Sequence, residues 1–250
     1  MDYSIQWNKW KHVTKLDPDK NNSRELIKEV RDSGTDAVII GGTQRITREK
    51  VTKLLEQVRN ICGHHLPVVI EVSSPEAVVS GADAYLIPVV LNSGKVTWLV
   101  EAHRKVMQQI GELLYSMKGP EILIPEAYVV LNPLSAVAQV TESRTELEPE
   151  EVLAYARVGE RVFNFPIVYL EYSGIYGDPR LVRMVKEGLR YAQVFYGGGI
   201  DSAAKAKEMA RAADTVVIGN VVYANRDYPL NDLVSAVKGI KNKAPEGANV

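Results

Sequence analysis

The chain has 250 residues, a formal net charge of −1, 46% hydrophobic and 24% charged residues. That size suits one soluble α/β domain with a sizeable core, and the balanced charge leaves no basic footprint for nucleic acid. Its single cysteine, Cys62, excludes an internal disulfide or a cysteine-based metal cluster and points to a reducing, cytoplasmic setting. The polar N-terminus does not read as a secretory signal, and no apolar run reaches transmembrane length, so any membrane contact is expected to be peripheral.

Taken in order, short β-rich apolar runs at 12–16, 36–41, 68–72, 84–89, 127–131, 167–172, 193–196 and 215–219 alternate with segments of helical period. Such alternation predicts a parallel sheet with crossover helices, and eight units over this length predict a closed (β/α)8, or TIM, barrel. No Pro- or Ser-rich linker interrupts it, so 1–250 reads as one domain. Helix boundaries carry their own signals. Asn22 with Glu25 reads as a capping pair, Gly63 as a stop, Glu148-Pro149 as an acidic start and Asp178-Pro179 as a cap followed by proline. One unit is irregular: the connection over 73–83 is too short and too rich in breakers for a crossover helix. The expected fold is therefore a barrel lacking its third outer helix; that flank either holds a groove suited to a long hydrophobic substrate or is closed by a short helical turn.

In a barrel, chemistry sits where the strands end. The first strand ends in Lys15, Leu16, Asp17, Pro18 and Asp19. Lys15 and Asp17 share a face, where the lysine suits a phosphate and the aspartate a magnesium ion. Thr43 follows the second strand and can offer a hydroxyl to a diphosphate or a metal-bound water. The sixth strand runs into Tyr169, Leu170, Glu171, Tyr172, Ser173 and Gly174, with Tyr169, Glu171 and Ser173 on one face. A carboxylate in a barrel mouth is costly unless paired or used, which makes Glu171 a candidate general base. The last two strands end in glycine turns, Gly197, Gly198, Gly199 and Gly219, Asn220, which read together as a phosphate cradle. His12 is a candidate for the barrel interior. The histidines show no metal-ligand spacing, so no zinc site is expected.

Several of these segments resemble one known family. The run from Lys15 to Asp19, Ser33-Gly34-Thr35-Asp36-Ala37, Val90-Leu91-Asn92-Ser93, the run from Tyr169 to Gly174 followed by Tyr176-Gly177, Tyr196 to Ile200, and Val217-Ile218-Gly219-Asn220 occur in the order seen in geranylgeranylglyceryl phosphate synthases and their bacterial branch, PcrB. The resemblance implies a barrel without its third helix and a magnesium-dependent transfer of a prenyl group from its diphosphate to the 3-hydroxyl of sn-glycerol 1-phosphate. It implies that Asp17, with Thr43 beside it, binds Mg2+, and that Lys15, Tyr169 through Gly174, Gly198, Gly199, Gly219 and Asn220 bind the acceptor. Glu171 would lie at the attacking hydroxyl. It also implies a homodimer, although some members of the family form hexamers. Thr14, Thr43-Gln44 and the run from Asn132 to Ala138 are closer to the archaeal branch, so a geranylgeranyl donor is expected. Val106, at a place where some archaeal members carry a bulky tryptophan, keeps a heptaprenyl donor as the alternative. Two rival readings use the same glycine turns: a phosphosugar isomerase or lyase, and a phosphate-binding barrel without catalysis.

Overall fold

The computed structural model describes residues 5–116, 123–224 and 227–240. Strands β1 (His12–Leu16), β2 (Ala37–Ile40), β3 (Val68–Glu71), β4 (Ala84–Val90), β5 (Leu123–Val130), β6 (Ile167–Glu171), β7 (Gln193–Gly197) and β8 (Thr215–Ile218) close into a parallel barrel in sequence order. Alternation along each strand divides the core in two. Val13, Ile39, Val69, Leu86, Tyr169 and Phe195 fill the barrel interior. Leu16, Ile40, Ile70, Val129, Leu170 and Ile218 pack outward under the helices.

The helices are α1 (Arg24–Asp32), α2 (Arg48–Cys62), α3 (Glu101–Ser116), α4 (Ala136–Thr141), α5 (Pro149–Arg157), α6 (Pro179–Gly188), α7 (Ala203–Met209) and α8 (Leu230–Lys238). None lies between β3 and β4, where a single 3-10 turn, Pro75–Ala77, is all that forms. The barrel is therefore built without its third outer helix, as the short connection predicts. Ala77, Val78 and Val79 are themselves buried there, and Tyr85 Oη donates to the Val79 carbonyl at 2.6 Å, so the connection seals its own flank.

Gly63, Glu148 and Asp178 terminate or cap their helices as their sequence signals predict. Three local expectations change. The cap of α1 is Ser23, whose Oγ accepts from the Leu26 N–H; Asn22 is left free for a different task. Strand β5 starts at Leu123, well before the apolar run at 127–131, because it contains Pro125 and Glu126, residues that argue against a central strand. His12 does not face the interior. Val13 does, so His12 lies on the helix side, with Nδ1 2.9 Å from Thr35 Oγ1 and its pKa lowered to about 3 by burial.

Candidate active site

The strand ends surround a polar cavity of ≈ 420 Å³ lined by Lys15, Asp17, Thr43, Tyr169, Glu171 and Ser173. Between the ends of β6 and β1 the wall is formed by the turns after β7 and β8: Gly198, Gly199, Gly219 and Asn220 line it as well. Gly199 has φ +55°, and a Cβ there would lie 2.2 Å from the backbone of Ile175 and Tyr176, so only glycine fits. Gly219 leads into the short 3-10 helix Asn220–Tyr223. Loops after the seventh and eighth strands together with a short extra helix make an anion site from N–H groups.

The centre of the mouth is a set of buried charges. Lys15 Nζ donates to both oxygens of Glu71 at 2.7 and 2.9 Å, and it stands 5.9 Å from the centroid of the Tyr169 ring. Burial alone would lower the Lys15 pKa; Glu71, then Glu171, outweigh it and raise it, so the ammonium persists. Glu171 is 2% exposed and held at both oxygens: Oε2 accepts from Tyr128 Oη at 2.7 Å, and Oε1 from the Ser173 N–H at 2.6 Å. Tyr128 stacks on Tyr169 with ring centroids 4.6 Å apart.

Asp17 is fixed through its main chain. Its N–H donates to Tyr223 Oη at 2.7 Å, Tyr223 Oη donates to Asn22 Oδ1 at 2.9 Å, and Asn22 Nδ2 donates to the Asp17 carbonyl at 2.8 Å. Asp17 Oδ1 accepts from the Asp19 N–H at 2.9 Å. A Cβ on Gly42 would come within 2.6 Å of that same oxygen, so the glycine lets the carboxylate lie against the next loop. Among the described residues, no group of three or more His, Cys, Asp or Glu side chains is placed to hold a metal. One carboxylate with a neighbouring hydroxyl instead suits an ion such as Mg2+, which keeps waters and is carried largely by substrate phosphates.

A second cavity of ≈ 350 Å³ adjoins the first and is mainly apolar, with Val72, Pro88, Trp98, Val106, Val137 and Val140 in its walls. The groove expected on the helix-less flank is shifted. It runs between α3 and α4, beside that flank, because the β3–β4 connection buries its own valines. The two cavities share Lys15, Gly42, Thr43, Glu171, Ser173, Gly174 and Asn220. An anion in the first and an apolar chain in the second would therefore meet at Glu171.

The sequence-derived set thus converges on one mouth, with two exceptions. The side chains of Leu170 and Tyr172 belong to the outer layer and line neither cavity, as alternation along β6 requires. Three supporting residues carried no role in the sequence reading, Glu71, Tyr128 and Tyr223, and Asn22 read only as part of a helix cap. Glu71 is a charge that ends the apolar β3. Tyr128 and Tyr223 have no local signal, since their partners Glu171 and Asp17 are distant in the chain.

The PcrB family model matches residues 5–238. The heptaprenylglyceryl phosphate synthase of Bacillus cytotoxicus is 47% identical over 231 residues, 92% of this chain and 97% of that protein. The enzyme of the same name from Anoxybacillus flavithermus is 46% identical over 230 residues, 92% of this chain and 96% of that protein. Among solved structures, (S)-3-O-geranylgeranylglyceryl phosphate synthase from Thermoplasma acidophilum, in complex with its substrate sn-glycerol-1-phosphate, superimposes with a TM-score of 0.80 at 26% identity, covering 93% of this chain and 95% of that one. With a barrel of the same build and a family match over nearly its whole length, this chain belongs to the PcrB family of glyceryl phosphate prenyltransferases.

Proposed function

We propose that the enzyme transfers a heptaprenyl chain from its diphosphate to the 3-hydroxyl of sn-glycerol 1-phosphate. The observation that carries this reading is the merging of a glycine-walled polar cavity with an apolar groove at Lys15 and Glu171. A phosphosugar isomerase or a simple phosphate binder has no use for the groove. The geranylgeranyl donor expected from Thr14, Thr43-Gln44 and the run from Asn132 to Ala138 gives way to the longer one. Relatives at 46–47% identity are heptaprenylglyceryl phosphate synthases, and Val106 in the groove wall leaves room for length.

In this reading the glycine turns and Lys15 hold the acceptor phosphate, with the 3-hydroxyl directed at Glu171. The prenyl chain lies in the groove with its diphosphate beside Asp17 and Thr43. Mg2+, held by Asp17 near Thr43, would neutralise the diphosphate as it leaves. The C1–O bond to diphosphate breaks, the acceptor oxygen bonds to C1, and the hydroxyl proton passes to Glu171. Fixing both partners supplies most of the advantage, since it removes the cost of orienting them.

The test supplies geranylgeranyl and heptaprenyl diphosphates in competition, with sn-glycerol 1-phosphate, and identifies products by mass. Heptaprenylglyceryl phosphate is expected to dominate. A preference for the shorter product overturns the donor assignment, and absence of product from either overturns the transferase reading. Glu171→Gln is expected to reduce kcat by roughly 10²–10⁴-fold while acceptor binding, measured by calorimetry, is kept; unchanged turnover removes Glu171 from the base role.

A further inference from the structure

One carboxyl in the barrel has no part in the chemistry above. Glu126 projects inward from β5, one interior layer deeper than Tyr128, and is paired in register with Pro88 on β4 and Ile167 on β6. It is 0% exposed, and neither of its oxygens has a hydrogen-bond partner. Its neighbours differ in this respect. Glu71 is paired with Lys15 through both oxygens, and Glu171 accepts from Tyr128 and Ser173.

The charges around Glu126 can be counted strand by strand. β1 supplies Lys15, β3 supplies Glu71, and β6 supplies Glu171 and the Tyr169 hydroxyl; on its own strand lies Tyr128. The other strands face inward with apolar side chains, Ile39, Leu86, Phe195 and Val217. If every carboxyl were ionised, one ammonium would face three carboxylates in a dry interior beside the site of an incoming phosphate. An ionised carboxylate without donors in such a place takes up a proton instead. Burial, then Glu71, push the Glu126 carboxyl well above its usual range, and Lys15 only partly opposes them.

We propose that Glu126 is a buried carboxylic acid kept neutral in the folded protein, so that no further negative charge competes with the acceptor phosphate for Lys15, and that its ionisation would weaken acceptor binding. The idea rests on the acceptor assignment above for the phosphate it admits. Its first test, however, is read in the protein without substrates. Infrared difference spectra of the wild type against Glu126→Gln at pH 7 are expected to show one protonated carboxylic acid band that the variant lacks. Because the amide imitates the neutral acid, KM for sn-glycerol 1-phosphate in Glu126→Gln is expected to stay within about twofold of the wild type wherever that band is present. Where rising pH abolishes the band, the wild-type KM should climb above that of the variant. Glu126→Met, which removes both unpartnered oxygens, serves as the second variant and is expected to keep the fold and the acceptor KM. Absence of the band in the wild type at pH 7 overturns the proposal, as does a tenfold or greater rise in acceptor KM in both variants. Loss of product formation in the wild type would strike the transferase reading alone.

Discussion

Tyr128→Phe isolates the support given to the candidate base. The phenylalanine keeps the ring that stacks on Tyr169 at 4.6 Å and removes only the hydroxyl that donates to Glu171 Oε2 at 2.7 Å. Burial, with Glu171 next in effect, pushes the Tyr128 pKa well up, so the hydroxyl remains a donor across the working pH range. A hydrogen bond to a charged group contributes about 1.5–3 kcal/mol. If Glu171 must hold one orientation when the acceptor hydroxyl gives up its proton, that loss falls on the chemical step. It corresponds to a fall in kcat of roughly 10- to 150-fold at about 1.4 kcal/mol per decade. In the proposed reading the acceptor phosphate is held by the turns at Gly199 and Gly219, in the cavity that Tyr128 does not line, so KM for sn-glycerol 1-phosphate should not change. Steady-state kinetics at saturating donor, with acceptor varied, make the separation. A kcat within about twofold of the wild type, or a loss confined to KM, refutes the idea that Tyr128 aims the base.

Three further outcomes are expected. Asp17→Asn keeps the main-chain ring through Tyr223 and Asn22 but halves the carboxylate's oxygen donors, so activity should need more magnesium; an unaltered metal titration would count against Asp17 as a ligand. Gly199→Ala forces alanine to φ +55° against the backbone of Ile175 and Tyr176. Strain of about 1–2 kcal/mol plus overpacking of about 1–3 kcal/mol should lower Tm by roughly 5–20 °C and weaken acceptor binding, and an unshifted Tm would show that the turn relaxes freely. Glu160, far from the mouth, accepts at Oε1 from the N–H groups of Arg190, Tyr191 and Ala192 at 2.7, 2.8 and 3.0 Å. Burial works to raise its pKa, but these donors prevail and hold it below the usual range. A carboxyl lowered on folding stabilises above its unfolded pKa, and that stability is lost as pH falls through the folded one. Glu160→Gln should therefore lower Tm at pH 7, with the gap closing below about pH 4; a gap independent of pH would refute this.

What was legible in the sequence follows a physical division. Strand order, the missing third helix and the mouth residues Lys15, Asp17, Glu171, Gly199 and Gly219 were accessible because each leaves a local mark: a short connection, a charge ending an apolar run, or a glycine where the backbone must turn. The start of β5 was hidden because Pro125 and Glu126 look like a loop in isolation; only closure of the barrel makes them strand. Tyr128, Tyr223 and Asn22 were hidden for another reason. Tyr128 and Tyr223 act on residues far away in the chain, as in the bond from the Asp17 N–H to Tyr223 Oη, and no window of sequence contains both partners; Asn22 lies only five residues from Asp17 but read as a helix cap, and its tie to Tyr223 gives it the second role. Leu170 and Tyr172 went the other way: a contiguous motif drew them in, although alternation already placed them on the outer face.

On the proposed function, the joined cavities separate the choice of donor length from the choice of reacting carbon. Burial of an isoprenoid chain stabilises in proportion to apolar area and carries no direction. It therefore cannot select the reacting carbon. Selection falls to the fixed charges at Lys15 and Glu171 and to the backbone walls at Gly199 and Gly219, all set on strand ends whose geometry the closed barrel dictates. In the proposed reading length is read elsewhere, along Trp98, Val106 and Val140 on the segments that wall the groove. A substitution in those segments changes how much chain is accommodated without moving the mouth. Tyr128→Phe, which keeps the ring that also lines the groove and removes only the hydroxyl on Glu171, should change the rate without altering which chain is chosen. The separation has a direct consequence for kinetics: with geranylgeranyl and heptaprenyl donors compared, Tyr128→Phe should lower kcat for both by the same factor. A factor that depended on chain length would mean that the groove and the mouth are mechanically coupled.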